Sequence, residues 1–218
     1  NSFNDLLKNP ETKQDAIDLS DRDRILRIYQ DRVERRLLGT VGWPTGFSQI
    51  DKEGNGLMPG ELLAIMARPG VAKTWLLLYS VVRMWMSGAK VIFISPEMTK
   101  DEVLFRIIPL VGFRNELRIS NKALRHGLYT DIDALNRVVT LFQDYGLFHI
   151  ENPEDKRGAV SVEAISQLCT RYNPDIIAID GVRLFGTNNR QSTWEWLEEI
   201  FYRLQAMAVS RHVSVVVA

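Results

Sequence analysis

The 218 residues carry 27 lysines and arginines against 27 aspartates and glutamates, so the formal charge is zero and no global basic field draws nucleic acid to the chain. A single cysteine, Cys169, excludes an internal disulfide framework and has no partner spacing for a metal site. Without a signal peptide or an apolar run of about 18 residues, the chain reads as a cytoplasmic protein: one α/β domain with a substantial core, plus an appendage. It begins with Asn rather than Met, as expected of an excerpt from a longer protein.

Residues 1–13 are polar and read as a loose lead-in. A helix over 15–38 follows, with Ile25, Ile28, Tyr29, Val33 and Leu37 at helical spacing and an opposite face dense in Asp21, Arg22, Asp23, Arg24, Arg35 and Arg36. Such a helix must bury its stripe, either on its own core or on a neighbouring subunit. The division is therefore 1–40 for lead-in and helix, and 41–218 for the core. Residues 39–60 form a loop-rich stretch with Gly39, Gly42, Gly46, Gly54 and Gly56, closed by Gly60.

From there strands and helices alternate. Strands are expected at 62–66, 90–95, 147–150, 175–180 and 213–217, and helices at 74–87, 100–111, 131–145, 160–172 and 192–210. Strands apolar throughout and separated by helices predict an α/β fold with a parallel sheet covered on both faces.

The first strand runs into Ala67-Arg68-Pro69-Gly70-Val71-Ala72-Lys73-Thr74, and a long apolar helix starts at Trp75. Strand, tight loop, Lys-Thr and helix are the arrangement that cradles a nucleoside triphosphate. Backbone N–H groups face the phosphates, Lys73 reaches the β/γ oxygens, and the Thr74 hydroxyl can bind Mg²⁺. Ala72 stands where the pattern places a glycine. If that position needs φ > 0, its Cβ costs about 1–2 kcal/mol.

Ligands of such sheets bind outside the carboxyl ends of the strands. The second strand ends in Ser95-Pro96-Glu97-Met98 and the fourth in Asp180-Gly181. Asp180 closes four apolar residues and suits the Mg²⁺ shell. Glu97 is the candidate general base for an attacking water, although an acid opening a helix is favourable in any fold.

Three strings carry a resemblance: Trp43-Pro44-Thr45-Gly46-Phe47-Ser48-Gln49-Ile50-Asp51, Gly56-Leu57-Met58-Pro59-Gly60-Glu61-Leu62 and Ala67-Arg68-Pro69-Gly70. With Ser95-Pro96-Glu97-Met98, the run from Asp175 to Phe185 and the 213–217 strand, they resemble the motor domain of DnaB-like replicative helicases over about 40–218. The divergence elsewhere suggests a phage or otherwise remote member. The resemblance implies a RecA-like fold, a ring usually of six, and ATP with Mg²⁺ between subunits. It further implies translocation on single-stranded DNA with duplex unwinding, and primase or a helicase loader as further partners. Under it, Lys73 and Thr74 hold phosphate and Mg²⁺, Asp180 supports Mg²⁺, Glu97 activates water, and the leading helix packs on the adjacent subunit. The family's glutamine sensor, second DNA loop and arginine finger fall after Ala218, so the isolated fragment is expected to be a weak ATPase.

In that family the segment after the fourth strand lines the channel, which points to Arg183, Asn188, Asn189 and Arg190 as DNA-backbone contacts. Lys156-Arg157 reads as a plain basic loop. Trp194, Trp196, Leu197, Ile200, Phe201, Leu204 and Met207 read as a core stripe, as do Trp75 and Trp85 on the helix after the phosphate loop. His126, His149 and His212 lack ligand spacing, so no metal beyond Mg²⁺ is expected. A RecA-like recombination mediator or loading factor that assembles on DNA without unwinding is the rival reading. A small-molecule kinase is weaker, since no lid or acceptor site is apparent.

Overall fold

The computed structural model describes residues 17–37, 41–68, 70–151, 161–182 and 193–218. In chain order the elements are α1 (Arg22–Leu37), α2 (Ser48–Gly54), β1 (Leu62–Ala64), α3 (Lys73–Met86), β2 (Val91–Ile94), α4 (Lys100–Arg114), α5 (Asn121–Arg125), α6 (Ile132–Leu141), β3 (Phe148–Glu151), α7 (Val162–Tyr172), β4 (Ile176–Ile179), α8 (Thr193–Arg211) and β5 (Ser214–Val217).

The five strands form one parallel sheet in the order β1-β5-β4-β2-β3. The three inner strands β5, β4 and β2 are buried at every position. That explains why β2 and β4 read as unbroken apolar runs rather than alternating ones, while the one polar residue of β5, Ser214, donates its hydroxyl to the Met58 carbonyl at 2.9 Å. Their alternation sorts residues between two cores. Val91, Phe93, Ile176, Ala178 and Val216 pack with Leu77, Val81 and Met84 of α3 and Val103, Ile107 and Val111 of α4. On the opposite face, Ile92, Ile94, Ile177, Ile179, Val215 and Val217 pack with Ile165 and Cys169 of α7 and Ile200, Leu204 and Met207 of α8. Burial pushes the Cys169 thiol up to about 11, so it stays a protonated core group.

Several expectations need correction. The leading helix starts at Arg22 rather than 15, because Asp18 turns the chain by accepting from the Ser20 N–H at 2.9 Å, and Asp21 caps the helix through the Arg24 N–H at 3.0 Å. The predicted 131–145 helix stops at Leu141. Trp194 is not core: it is 82% exposed, whereas Trp196 is 5% exposed, since two positions turn a helix by about 200°. The loop-rich stretch before β1 also carries regular structure. It holds α2, and Trp43 bridges Leu57 in antiparallel fashion. Gly56, at φ +79, sits where a Cβ would lie 2.7 Å from the Trp43 carbonyl oxygen. Asp51 staples the turn by accepting from the Thr45 N–H and hydroxyl at 2.8 and 2.7 Å.

Helix α1 buries none of its residues, and Tyr29 and Leu37 are 66% and 82% exposed. Its apolar stripe is therefore not absorbed by this chain's described core.

Helix α4 opens with a reciprocal capping box between Thr99 and Glu102 and carries Pro109 in its interior. Proline offers no N–H to the carbonyl four residues back. The Asn121 side-chain amide supplies it instead, donating to the Phe105 carbonyl at 2.7 Å. Asn121→Ala should therefore destabilise the fold by about 1–2 kcal/mol. In a Pro109→Ala background, where a backbone N–H returns, most of that loss should vanish. A double-mutant cycle on denaturation midpoints checks it, and additive losses would refute the substitution of one donor for the other.

Candidate nucleotide site

The helices α3 and α4 begin at the carboxyl edge of the sheet, so the segments after β1, β2 and β4 share one rim. Asp180, the residue after β4, is 4% exposed. Its Oδ1 accepts from the Thr74 hydroxyl at 2.9 Å, and its Oδ2 lies 3.5 Å from the Ser95 hydroxyl. Strand β5 separates β1 from β4, yet the first turn of α3 reaches over it to make this contact. Among the described residues no ion pair closes on Asp180.

Burial raises the Asp180 carboxyl above the ordinary range, and the negative charge of Glu97 adds to the rise. The Thr74 hydrogen bond, the Arg106 charge and the Ser95 hydroxyl oppose it. Glu97 itself is exposed in the turn before α4, which starts only at Lys100. Thus Thr74, Asp180 and Glu97 come to one rim.

The loop between β1 and α3 turns through Gly70 at φ 82 and Ala72 at φ 63. Lys73, Thr74 and Trp75 are half-buried, while Ala67, Arg68, Gly70, Val71 and Ala72 are exposed. Ala72 is the N-cap of α3 and contributes no side-chain acceptor, and the first turn holds no acid. The opening N–H groups and the positive end of the helix dipole are thus left for an anion. Lys73 forms no ion pair with a described carboxylate.

Arg106 was not singled out in the sequence. It lies half-buried on α4, its guanidinium carbon 5.8 Å from the centre of the Trp75 ring and its nitrogen on the Met98 sulfur. The only signal was a charged residue inside the apolar run Val103-Leu104-Phe105-Arg106-Ile107-Ile108. Ser95, buried against Asp180, was likewise read only as part of its motif. Pro69, Arg183, Asn188, Asn189 and Arg190 lie outside the described residues, as do Lys156 and Arg157. Two open clefts of about 490 Å³ lie elsewhere, one beside Thr45, Leu57 and Gln205 and one beside Leu117 and Arg137. Neither contains a phosphate-loop residue.

The left-handed backbone at Ala72 settles the glycine question raised by the sequence. An alanine there costs about 1–2 kcal/mol in the fold, while glycine would cost roughly 0.4–1 kcal/mol through the freer unfolded chain. Ala72→Gly should then stabilise by about 0.5 kcal/mol, read as a small rise in melting midpoint. A fall would show that the loop is not strained at this residue.

Residues 42–218 match the family model of the DnaB-like helicase C terminal domain. The replicative DNA helicase DnaB of Haemophilus influenzae is 27% identical over 190 residues, which is 82% of this chain and 38% of that protein. This chain thus spans under half the length of that relative. Among solved structures, an ATPase domain superposes with a TM-score of 0.74 at 22% identity, over 92% of this chain and 71% of the other. A DnaB-like replicative helicase, solved with its interactions with primase, superposes with a TM-score of 0.73 at 22% identity, over 92% of this chain and 49% of the other. A parallel sheet of RecA-like order, a phosphate-type loop joined to a buried carboxylate, and a family match running from the Trp43 turn to the end of β5 agree: the chain belongs to the DnaB-like helicase C-terminal domain family.

Proposed function

We propose that this chain is the ATP-hydrolysing motor domain of a hexameric DNA helicase. It would couple hydrolysis at subunit interfaces to translocation on single-stranded DNA and duplex unwinding in replication. The observation that carries the proposal is the Thr74–Asp180 hydrogen bond, 2.9 Å long between residues 106 positions apart. It joins the loop after β1 to the end of β4 at the rim where this fold binds ligands.

In this reading the backbone of Ala67, Arg68, Pro69, Gly70, Val71 and Ala72, with the start of α3 through Trp75, wraps the phosphates, and Lys73 meets the β/γ oxygens. Thr74 and Asp180 would hold Mg²⁺. The residues fit that ion: two hard oxygens already touch, one of them a buried carboxylate with no ion pair to a described residue. Among the described residues no group of three His, Cys, Asp or Glu forms a metal cage. That suits an ion which keeps its waters and takes substrate oxygens. When bound, Mg²⁺ would neutralise charge on the phosphate oxygens. Glu97, exposed beside Asp180, accepts the proton of the attacking water.

The core is 41–218 and the leading segment 1–40. The uncovered stripe of α1 supports docking on a neighbouring subunit, hence a ring. Arg183, Asn188, Asn189 and Arg190 would contact DNA phosphates from the channel side. Primase or a loader is the further partner. No described helix is long and apolar enough to cross a membrane; the proposed place of action is the cytoplasm.

The test is ATP turnover by the whole protein with and without single-stranded DNA. DNA should stimulate turnover, and Glu97→Gln should lower kcat by about 10²–10⁴ while ATP still binds. Flat turnover that ignores both DNA and Glu97→Gln would defeat the motor reading.

Asp180→Asn separates the site from the fold. Because burial raises this carboxyl's pKa on folding, carrying its charge costs more in the folded chain than in the unfolded one. The associated stability is full below the unfolded pKa and is lost as pH rises through the folded one. At neutral pH the neutral isostere should therefore raise the ligand-free melting point, by about 2–4 °C per kcal/mol relieved. It should also abolish the extra stabilisation by Mg²⁺ with ATP. A lowered ligand-free melting point would contradict the buried, unneutralised carboxylate.

A further inference from the structure

Trp75 follows Thr74 directly, and Met98 follows Glu97 directly. Between these two lies the Arg106 guanidinium, 5.8 Å from the Trp75 ring centre and touching the Met98 sulfur. One cation thus links the residue after the hydroxyl that meets Asp180 to the residue after the exposed carboxylate.

The alternative is that Trp75 fills the core, as its place on an apolar helix predicted. The packing speaks against it. Leu77, Leu78, Val81 and Val82 of the same helix belong to the core cluster, and Met98 and Phe105 pack on it, but among the described residues Trp75 packs on neither cluster. Its partner is Arg106. Nor does Arg106 have an ion pair with a described carboxylate to fix it. A planar guanidinium is held well by an aromatic face, which attracts it through the ring quadrupole without consuming its N–H donors. Apart from the one on the Met98 sulfur, those donors can serve an oxyanion.

We propose that Trp75 is a positioning residue of the nucleotide site: its ring is the platform that keeps the Arg106 guanidinium between the phosphate-loop helix and the Glu97 turn. This rests on the reading of that rim as an ATP site. Trp75 touches no reacting atom; it acts through Arg106, whose fork faces charge developing on the phosphoryl oxygens.

The experiment uses the whole protein with single-stranded DNA and compares wild type, Trp75→Leu, Trp75→Phe, Arg106→Gln and the Trp75→Leu/Arg106→Gln pair. Trp75→Leu should lower kcat about three- to ten-fold, with KM and the Kd for a fluorescent ATP analogue changed less than about two-fold. Trp75→Phe, which restores an aromatic face, should recover most of kcat. In the Arg106→Gln background Trp75→Leu should have little further effect, because the group it positions is gone. Additive losses, failure of phenylalanine to rescue, or an effect on KM alone would overturn the proposal and return Trp75 to packing. Glu97→Gln and Lys73→Ala run alongside. If these leave turnover and analogue binding intact, the site reading falls and the inference with it. If they abolish turnover or binding while the cycle is additive, only the platform is refuted.

Discussion

Everything at this rim follows from burying a carboxylate at the end of a strand that has no exposed face. β4 lies between β5 and β2 and is covered on both sides, and all four of its residues are apolar. The first position able to carry a charge is the next one, Asp180. There the backbone still belongs to the ladder, with its N–H donating to the Ile94 carbonyl at 2.9 Å, but the side chain emerges beside the start of α3. Polar chemistry is thus confined to strand ends by the same burial that stabilises the sheet. The charge is tolerated because the Thr74 and Ser95 hydroxyls and the Arg106 field offset part of the desolvation.

The start of α3 shows the reverse compromise. Four of the described helices meet the usual conditions at their first turn: Thr99, Ser120, Asp131 and Ser161 each accept a backbone N–H as N-cap. Ala72 does not, and it sits in a backbone conformation that disfavours any Cβ. A helix end left uncapped and strained is less stable on its own account. In the proposed motor that deficit is what makes the end receptive, since phosphate oxygens would supply the missing acceptors.

How much of this was legible in the sequence depended on the range of the interaction. The inner strands could be read directly, because full burial writes itself as Val91-Ile92-Phe93-Ile94 or Ile176-Ile177-Ala178-Ile179. Asp180 and Glu97 were found from their place after those runs, and the fold's own rule then brought them to one rim. What failed was set by contacts the chain order hides. The helix through Pro109 was expected, but not that Asn121 from another element supplies the donor the proline lacks. Trp194 falls off the buried face by an angle that a list of apolar residues does not show. Arg106 was not singled out, and only the packing of α3 against α4 sets it over Trp75. The left-handed state of Ala72 is a backbone property that the letter alanine argues against.

Two features of the chain look outward. α1 presents an apolar stripe that its own described core does not cover, and Glu97 with the phosphate loop stands exposed at the rim. An amphipathic helix of 16 residues has little stability alone in water, so its stripe needs a surface. A rim open to solvent would hydrate both Glu97 and the phosphates, weakening every electrostatic contact there. A second copy set against this one would meet both needs: it would take up the helix and close the rim. In the proposed ring these become one requirement, because the subunit that receives α1 is held near enough to complete a site. Assembly and catalysis would then share a single structural cause.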